Sequence, residues 1–121
     1  MSQTTTSILL PQTAYSGLNG AAYTVVGNTY VAASYYQSNK DLQTAAIKLT
    51  AVTGNIILEA SLVANPAETD WFKVYELVAN NTSDTNSNAS VYANLNGNFV
   101  NIRAKVENFS TGVINHIKVT Y

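Results

Sequence analysis

The stretch from Asn98 to Tyr121, NFVNIRAKVENFSTGVINHIKVTY, decides the fold class. Its first half has apolar residues at every second position: Val100, Ile102, Ala104 and Val106. Alternation with a period of two is typical of a β-strand that has one buried face. The preceding Asn96-Gly97 pair favours a tight turn because both residues tolerate positive φ, and Asn108–Gly112 indicates a second turn. We therefore predict a terminal hairpin whose last strand ends at Tyr121.

The same alternation occurs earlier in the chain. Residues 44–51 and 56–62 alternate on either side of Val52-Thr53-Gly54-Asn55, which predicts another hairpin. The remaining apolar runs are separated by Gly, Asn and Pro, and they predict further strands: Ile8–Tyr15, Tyr23–Val26, Tyr30–Tyr36, Trp71–Val78 and Ser87–Leu95. We expect the last two of these strands to pair as a hairpin. No segment shows helical spacing over more than one turn.

Many short strands without a helix predict an all-β fold. We expect a single antiparallel β-sandwich that is jelly-roll-like, which suits a chain of 121 residues. In this prediction residues 8–121 form one β-sandwich domain. Residues 1–7 are mostly polar and are expected to form a flexible N-terminal arm.

Charge is scarce in this sequence. Charged residues make up 11%, and the formal net charge is -1, so no basic patch for nucleic acid is predicted. No signal peptide is predicted, and no apolar stretch reaches the roughly 18 residues of a membrane helix. The absence of cysteine excludes disulfides, thiolate metal sites and a cysteine nucleophile. Polarity comes mainly from Asn, Thr and Ser, and such a neutral surface favours a protein that works in an assembly.

The one arginine and the one histidine, Arg103 and His116, are the first candidates for chemistry. A catalytic site needs a nucleophile or a base that a third group orients, and no motif supplies such a group. Both residues lie at polar positions of alternating strands, where solvent or an interface explains them. We predict no enzyme activity and no catalytic or cofactor-binding residue. The predicted interface residues are Tyr35, Tyr36, Arg103, His116 and Tyr121.

Acidic and aromatic residues leave two further interpretations open. Glu59, Glu68 and Asp70 offer oxygen ligands for calcium, but no calcium-loop spacing is present, so no metal site and no cofactor are predicted. The eight tyrosines and one tryptophan suit either a sugar-binding platform or core and interface positions. We favour core and interface positions, with Trp71 and Phe72 in or near the core.

Several motifs spread over residues 23–121 carry a family resemblance. They are Tyr35-Tyr36, Asp41-Leu42-Gln43-Thr44, Thr53-Gly54-Asn55-Ile56, Glu59-Ala60-Ser61-Leu62, Pro66-x-x-x-Asp70-Trp71-Phe72, Asn96-Gly97-Asn98-Phe99-Val100-x-Ile102-Arg103-Ala104 and Gly112-x-Ile114-Asn115-x-Ile117. In this order they resemble small β-sandwich domains in virion structural proteins of tailed bacteriophages, of the marine and cyanophage type. The resemblance implies a structural role and supplies no catalytic residue.

The resemblance implies a virion component on the capsid, the neck or the tail, and among these we expect a capsid decoration or cement subunit. Such a viral structural protein would bind other virion proteins, with the major capsid protein as one candidate. We expect a homo-oligomer, with a trimer as one form, no nucleic-acid or membrane partner, and location in the virion after assembly in the cytoplasm of the bacterial host. The alternative is a carbohydrate-binding module of a neck, tail or fibre that recognises glycans of the host surface.

Overall fold

The computed structural model describes residues 6–17, 21–32, 42–80 and 90–121. Within these ranges the chain forms eight β-strands: β1 (Thr6–Leu10), β2 (Thr13–Ala14), β3 (Tyr23–Val26), β4 (Tyr30–Val31), β5 (Leu42–Ser61), β6 (Phe72–Ala79), β7 (Ser90–Asn96) and β8 (Asn101–Thr120). These strands pair antiparallel in one hydrogen-bonded sheet, which confirms the predicted all-β antiparallel fold. A single 3₁₀ turn, Glu68–Asp70, precedes β6. None of the helical segments in the described part of the chain is long and apolar enough to cross a membrane.

The two central strands are β5 and β8, each 20 residues long. They pair with each other from one end to the other. Beyond β8 the strands β1, β2, β3 and β4 lie end to end, and beyond β5 the strands β7 and β6 do the same. We call β1, β2, β7 and the adjoining residues 42–50 and 113–120 the first half-sheet. The second half-sheet contains β3, β4, β6 and residues 53–61 and 101–109.

Both central strands are irregular at their midpoints. The pairing register shifts on both sides of Thr53. Positive φ angles occur at Ala51, Asn108 and Gly112, with values of 53°, 57° and 90°. Such bulges bend a strand without ending it. The turn signals of the sequence thus lie inside β5 and β8, and the two hairpins predicted at these points are wrong.

The bend brings opposite ends of the sheet together. The last residue of β7, Asn96, lies opposite Leu42, whereas the first residue of β8, Asn101, lies opposite Ser61. Residues 97–100 connect these two points, although a straight β5 would hold them about 60 Å apart. The hairpin predicted around Asn96-Gly97 is wrong because β7 and β8 border opposite edges of β5. The predicted pairing of β6 with β7 is also wrong, since both pair with β5.

Two hydrogen bonds join the half-sheets across the bend. The hydroxyl of Tyr121 donates to the carbonyl of Val31 at 2.7 Å, and the N–H of Asn28 donates to the carbonyl of Leu9 at 2.8 Å. Leu9 belongs to the first half-sheet and Tyr121 directly follows the last residue of β8, whereas Val31 belongs to the second half-sheet and Asn28 lies between its strands β3 and β4. The half-sheets therefore enclose a shared interior. Because the described strands form one continuous sheet, the jelly-roll type of sandwich stays a prediction.

The interior is one apolar core to which both half-sheets contribute. Its largest fully buried side chains include Leu9, Ile47, Ile117, Ile56, Leu58, Val106 and Phe109. The inward faces predicted for residues 45–49 and 56–60 are confirmed. The alternation predicted for residues 44–51 and 56–62 fails at the last residue of each stretch. The bulge shifts it at Ala51 so that Val52 is buried instead, and Leu62 lies beyond β5 and is exposed.

The start of β1 overlaps the predicted N-terminal arm. Thr6 pairs with Thr120, and Ser7 pairs with Val119. The Oγ1 atoms of the two threonines are also hydrogen bonded at 2.9 Å. Residues 1–5 of the predicted arm lie outside the described residues.

Candidate functional site

Arg103 lies on the outer face of the second half-sheet. Its neighbours Ile102 and Ala104 face the core, so the predicted orientation of Arg103 away from the core is confirmed. The residue is nevertheless only 5% exposed. Side chains from residues 62–71, which join β5 to β6, contact it from the outside. The structure thus places Arg103 in an internal ion-pair cluster.

The guanidinium group of Arg103 binds two carboxylates. Its Nε donates to Oε1 of Glu59 at 2.8 Å, and its Nη1 and Nη2 donate to the two oxygens of Glu68 at 3.1 Å each. Its Cζ atom lies 4.3 Å from the ring centroid of Trp71. The planar fork of arginine suits this combination of a bidentate carboxylate and an aromatic face. Trp71, predicted in or near the core, therefore packs on the outer face instead.

Pairing between β5 and β8 positions one side of this cluster. Glu59 and Arg103 are direct cross-strand partners, so their side chains leave the sheet side by side. Two residues earlier on β8, the side-chain amide of Asn101 donates to the carbonyls of Val63 and Ala64 at 2.7 and 3.2 Å. These bonds hold the start of residues 62–71 against the sheet.

The 3₁₀ turn positions the other side. Its backbone closes through a 2.9 Å bond from the N–H of Asp70 to the carbonyl of Ala67. The carboxylate of Asp70 accepts the N–H of Ala67 at 2.8 Å. This reciprocal pair is a local device of short polar side chains that stabilises a turn. It places Glu68 and Trp71 over the guanidinium group.

The electrostatics favour a structural role for the cluster. The hydrogen bonds from Arg103, followed by its charge, lower the pKa of Glu68. The bonds to Glu68 raise the pKa of Arg103 even though burial acts in the opposite direction. Both groups therefore stay ionised at neutral pH, and the carboxylates of Glu59 and Glu68 are occupied by the cation. In the described ranges, no group of three or more His, Cys, Asp or Glu residues is placed to hold a metal ion.

His116 lies in the first half-sheet, on its outer face, beside two lysines. Lys48 is its direct cross-strand partner on β5, and Lys118 follows two residues later on β8. Burial is the main cause that lowers the pKa of His116, and the charges of Lys118 and Lys48 lower it further. We call Lys48, His116 and Lys118 the basic face.

The sequence predicts the two polar strand faces that form the basic face, but not that they adjoin. Alternation predicts that Lys48 shares a polar side with Thr44 and Thr50, and that Lys118 shares one with His116. It does not show that β5 and β8 are neighbours, because strand pairing depends on contacts between distant segments. The available signal was that these lysines lie in the two longest alternating stretches of the chain.

The predicted interface residues do not form one site. Arg103 and His116 lie in opposite halves of β8, and the structure does not bring them together. Tyr121 is half-buried, and its hydroxyl is bonded to Val31. Tyr35 and Tyr36 lie outside the described residues.

Comparisons with known proteins give no family. No protein-family model matches the chain. No curated protein matches it either. The resemblance to phage virion proteins therefore stays an expectation, and the functional argument depends on the surfaces of the fold.

Proposed function

We propose that this protein is a non-enzymatic structural subunit of a bacteriophage virion, namely a capsid decoration or cement subunit that binds other virion proteins. The observation that carries the proposal is a set of exposed apolar side chains on β6 and on the residues that precede it. The resemblance of residues 23–121 to phage virion domains supports the virion as the location.

The surface along β6 combines two properties of a protein-docking site. Its apolar side chains are between 39% and 61% exposed: Leu62, Val63, Phe72 and Val78. Among the described strands, β6 pairs only with β5, so it is the outermost of them on that side of the sheet. We call this surface the β6 edge.

A strand edge of this kind favours contact with another protein. Exposed apolar side chains gain free energy when a partner covers them, and an outer strand is where a further chain most easily reaches a sheet. A soluble monomer normally protects such an edge with charge. On β6 the charged side chains Lys73 and Glu76 instead pair with each other at 2.9 Å. We infer that a virion protein covers the β6 edge in the assembled particle.

The location can be tested on purified virions. Mass spectrometry is expected to detect the chain in particles of the phage that encodes it, and cryo-electron microscopy is expected to show its density at repeated positions on the capsid. Absence of the chain from particles would contradict the whole proposal. Density at the neck, tail or fibre would contradict the decoration role and support the alternative location.

The β6 edge can be tested with two matched variants. Val78→Lys places a charge on the edge, whereas Val26→Lys places the same charge on β3, and the two valines are 51% and 50% exposed. We expect Val78→Lys to reduce incorporation into particles at least about tenfold, since a lysine is costly to bury in an apolar contact. Val26→Lys is expected to leave incorporation unchanged. Equal incorporation of both variants would exclude the β6 edge as the docking site.

A second candidate function is carbohydrate binding. Tyr92 is 72% exposed on β7, and a flat aromatic face of this kind stacks on sugars. A glycan array with the isolated chain tests this function. Specific binding that Tyr92→Ala abolishes would support it, and an empty array would count against it.

A further inference from the structure

Charges are separated between the two half-sheets. The first half-sheet contains Lys48 and Lys118, and none of its described residues is a carboxylate. Neither lysine forms an ion pair with another described residue. His116 lies between them on the same face and gains a positive charge when it is protonated. The basic face is therefore uncompensated within the described part of the chain.

The second half-sheet, taken together with residues 62–71, has an excess of negative charge. Its carboxylates are Glu59, Glu68, Asp70, Glu76 and Glu107. Its cations are Lys73, Arg103 and Lys105, and each of them is already in an ion pair. Five carboxylates against three cations leave a net charge of -2 in this region.

The 3₁₀ turn presents part of this negative charge to solvent. The side chain of Glu68 is 81% exposed even though its oxygens contact Arg103, and Asp70 is exposed as well. The bonds from Arg103 keep the pKa of Glu68 low, so its charge persists below neutral pH. We call Glu68 and Asp70 the acidic turn.

The surroundings of the basic face are suited to contact with protein. Cross-strand pairing places four residues in one row across the sheet: Tyr92, Ala46, Lys118 and Ile8. Tyr92 and Ile8 are among the exposed large apolar residues. The next row is Asn94, Thr44, Thr120 and Thr6, and side-chain hydrogen bonds of 2.7 and 2.9 Å fix its ends. Ordered polar side chains beside an exposed tyrosine are typical of protein interfaces.

We propose that the basic face of one copy of this chain binds the acidic turn of a second copy. Charge complementarity supports this choice of partner, since a positive face that has no ion-pair partner among the described residues and an exposed negative turn occur on the same molecule. Two lysines and a histidine are too few for the many phosphate contacts of nucleic-acid binding. The proposal does not depend on the virion role, because none of the residues that it uses belongs to the β6 edge.

The expected association is head to tail. The basic face and the acidic turn are different surfaces of the molecule. After a single contact, one copy therefore still has a free acidic turn and the other still has a free basic face. Contacts of this heterologous type form rings when the rotation closes and open chains when it does not. The association is also expected to depend on salt, because exposed charges are screened over about 8 Å at physiological ionic strength.

Sedimentation velocity of the full chain tests the association. At about 50 mM NaCl the weight-average sedimentation coefficient is expected to rise with protein concentration, up to about 1 mM. At about 500 mM NaCl the association is expected to be weaker, with an apparent dissociation constant at least about tenfold larger. A chain that stays monomeric over this range at low salt would overturn the proposal.

Two double variants each remove one surface. Lys48→Glu with Lys118→Glu reverses the basic face, and Glu68→Gln with Asp70→Asn neutralises the acidic turn while it keeps one side-chain acceptor oxygen at each position. Each variant alone is expected to be monomeric. A mixture of the two is expected to form a 1:1 heterodimer and nothing larger, because one intact basic face then meets one intact acidic turn. A mixture that stays monomeric would overturn the head-to-tail arrangement.

Controls separate charge from folding. Lys73→Glu reverses the charge of one exposed lysine outside the basic face, which is half of the charge change in the double variant, and it is expected to leave self-association intact. Lys48→Gln with Lys118→Gln removes the charge without reversing it and is expected to weaken association at least about threefold. Far-ultraviolet circular dichroism and thermal melting establish that each variant is folded. If Lys73→Glu abolishes association as completely as the basic-face variant, net charge and not the basic face is responsible, and the proposal fails.

Discussion

Arg103 shows how a single buried charge is accommodated on the outer face of a sheet. Two carboxylates and the ring of Trp71 surround its guanidinium group, and every described side-chain nitrogen and oxygen that is buried has a hydrogen-bond partner. A buried ion pair does not by itself stabilise a fold, because desolvation offsets much of the attraction. Removal of one partner is different, since it leaves a charge that is buried and unpaired. Without Arg103, the carboxylate of Glu59 would be such a buried and unpaired charge, because its side chain is only 13% exposed.

We therefore predict that Arg103→Ala lowers the free energy of unfolding by about 3 kcal/mol. Urea denaturation followed by the fluorescence of Trp71, the one tryptophan, measures this change. Lys73→Ala is the matched control, since Lys73 forms an ion pair with Glu76 but is 54% exposed. The control is expected to cost less than about 1 kcal/mol. An equal decrease in the free energy of unfolding of the two variants would show that the burial of Arg103 does not contribute to stability.

Acid weakens the same cluster in a defined direction. The pKa of Glu68 is lowered in the folded state, so its interaction stabilises the fold at pH values above the unfolded pKa of 4.5. This contribution is lost as pH falls through the lower, folded pKa. The stability difference between wild type and Arg103→Ala is therefore expected to be smaller at pH 3 than at pH 7. A difference that does not change with pH would contradict a role for Glu68.

The sequence predicts the orientation of Arg103 but not its burial. Alternation with Ile102 and Ala104 places it away from the core, and the structure confirms this side. The cover comes from residues 62–71, which have no periodic pattern. Their position depends on the amide of Asn101 and on the pairing of Glu59 with Arg103, which lie on neighbouring strands that are far apart in the sequence. The spacing of residues along one segment does not predict such contacts between segments that are far apart in the sequence.

At the scale of elements, the turn signals at 52–55 and 108–112 mark bends, although they predict hairpins. Glycine and asparagine indicate backbone conformations with positive φ, and the structure has them at Asn108 and Gly112. Whether the chain then reverses or continues depends on the partner strand. Thr53 pairs with Thr111, so both irregular points lie opposite each other and both strands continue. Local residue chemistry thus predicts the left-handed backbone at Asn108 and Gly112 correctly, whereas near 52–55 the left-handed residue is Ala51. It predicts the topology incorrectly at both points.

We predict that Gly112→Ala destabilises the bend by about 2–3 kcal/mol. The residue has a φ of 90°, and a Cβ at this position would overlap the carbonyl of Ala51. Ala51→Gly is the matched control on the facing strand, where φ is 53°. Its effect is expected to stay within about 0.5 kcal/mol, because relief of the left-handed backbone offsets the added freedom of the unfolded chain. Thermal denaturation of both variants measures these changes, and an unaffected Gly112→Ala would show that the bend tolerates a side chain.

At the scale of the whole molecule, β5 and β8 make the half-sheets depend on each other. Each strand contributes to both halves, and residues of both halves share one apolar core. Either half alone would expose this core to water. The hydrogen bond from Tyr121 to Val31 connects opposite ends of β8, so separation of the halves would also break it. The two half-sheets are therefore expected to unfold as one cooperative unit.

Two core variants test this cooperativity. Leu49→Ala opens a cavity in the first half-sheet and Leu58→Ala opens one in the second, and both leucines are buried. Each is expected to lower the free energy of unfolding by about 2–5 kcal/mol. In both variants hydrogen exchange is expected to accelerate by the same factor for the amides of β7 and of β6, because global unfolding exposes both. If Leu49→Ala accelerates exchange in β7 and leaves β6 protected, the half-sheets open separately and the shared core does not couple them.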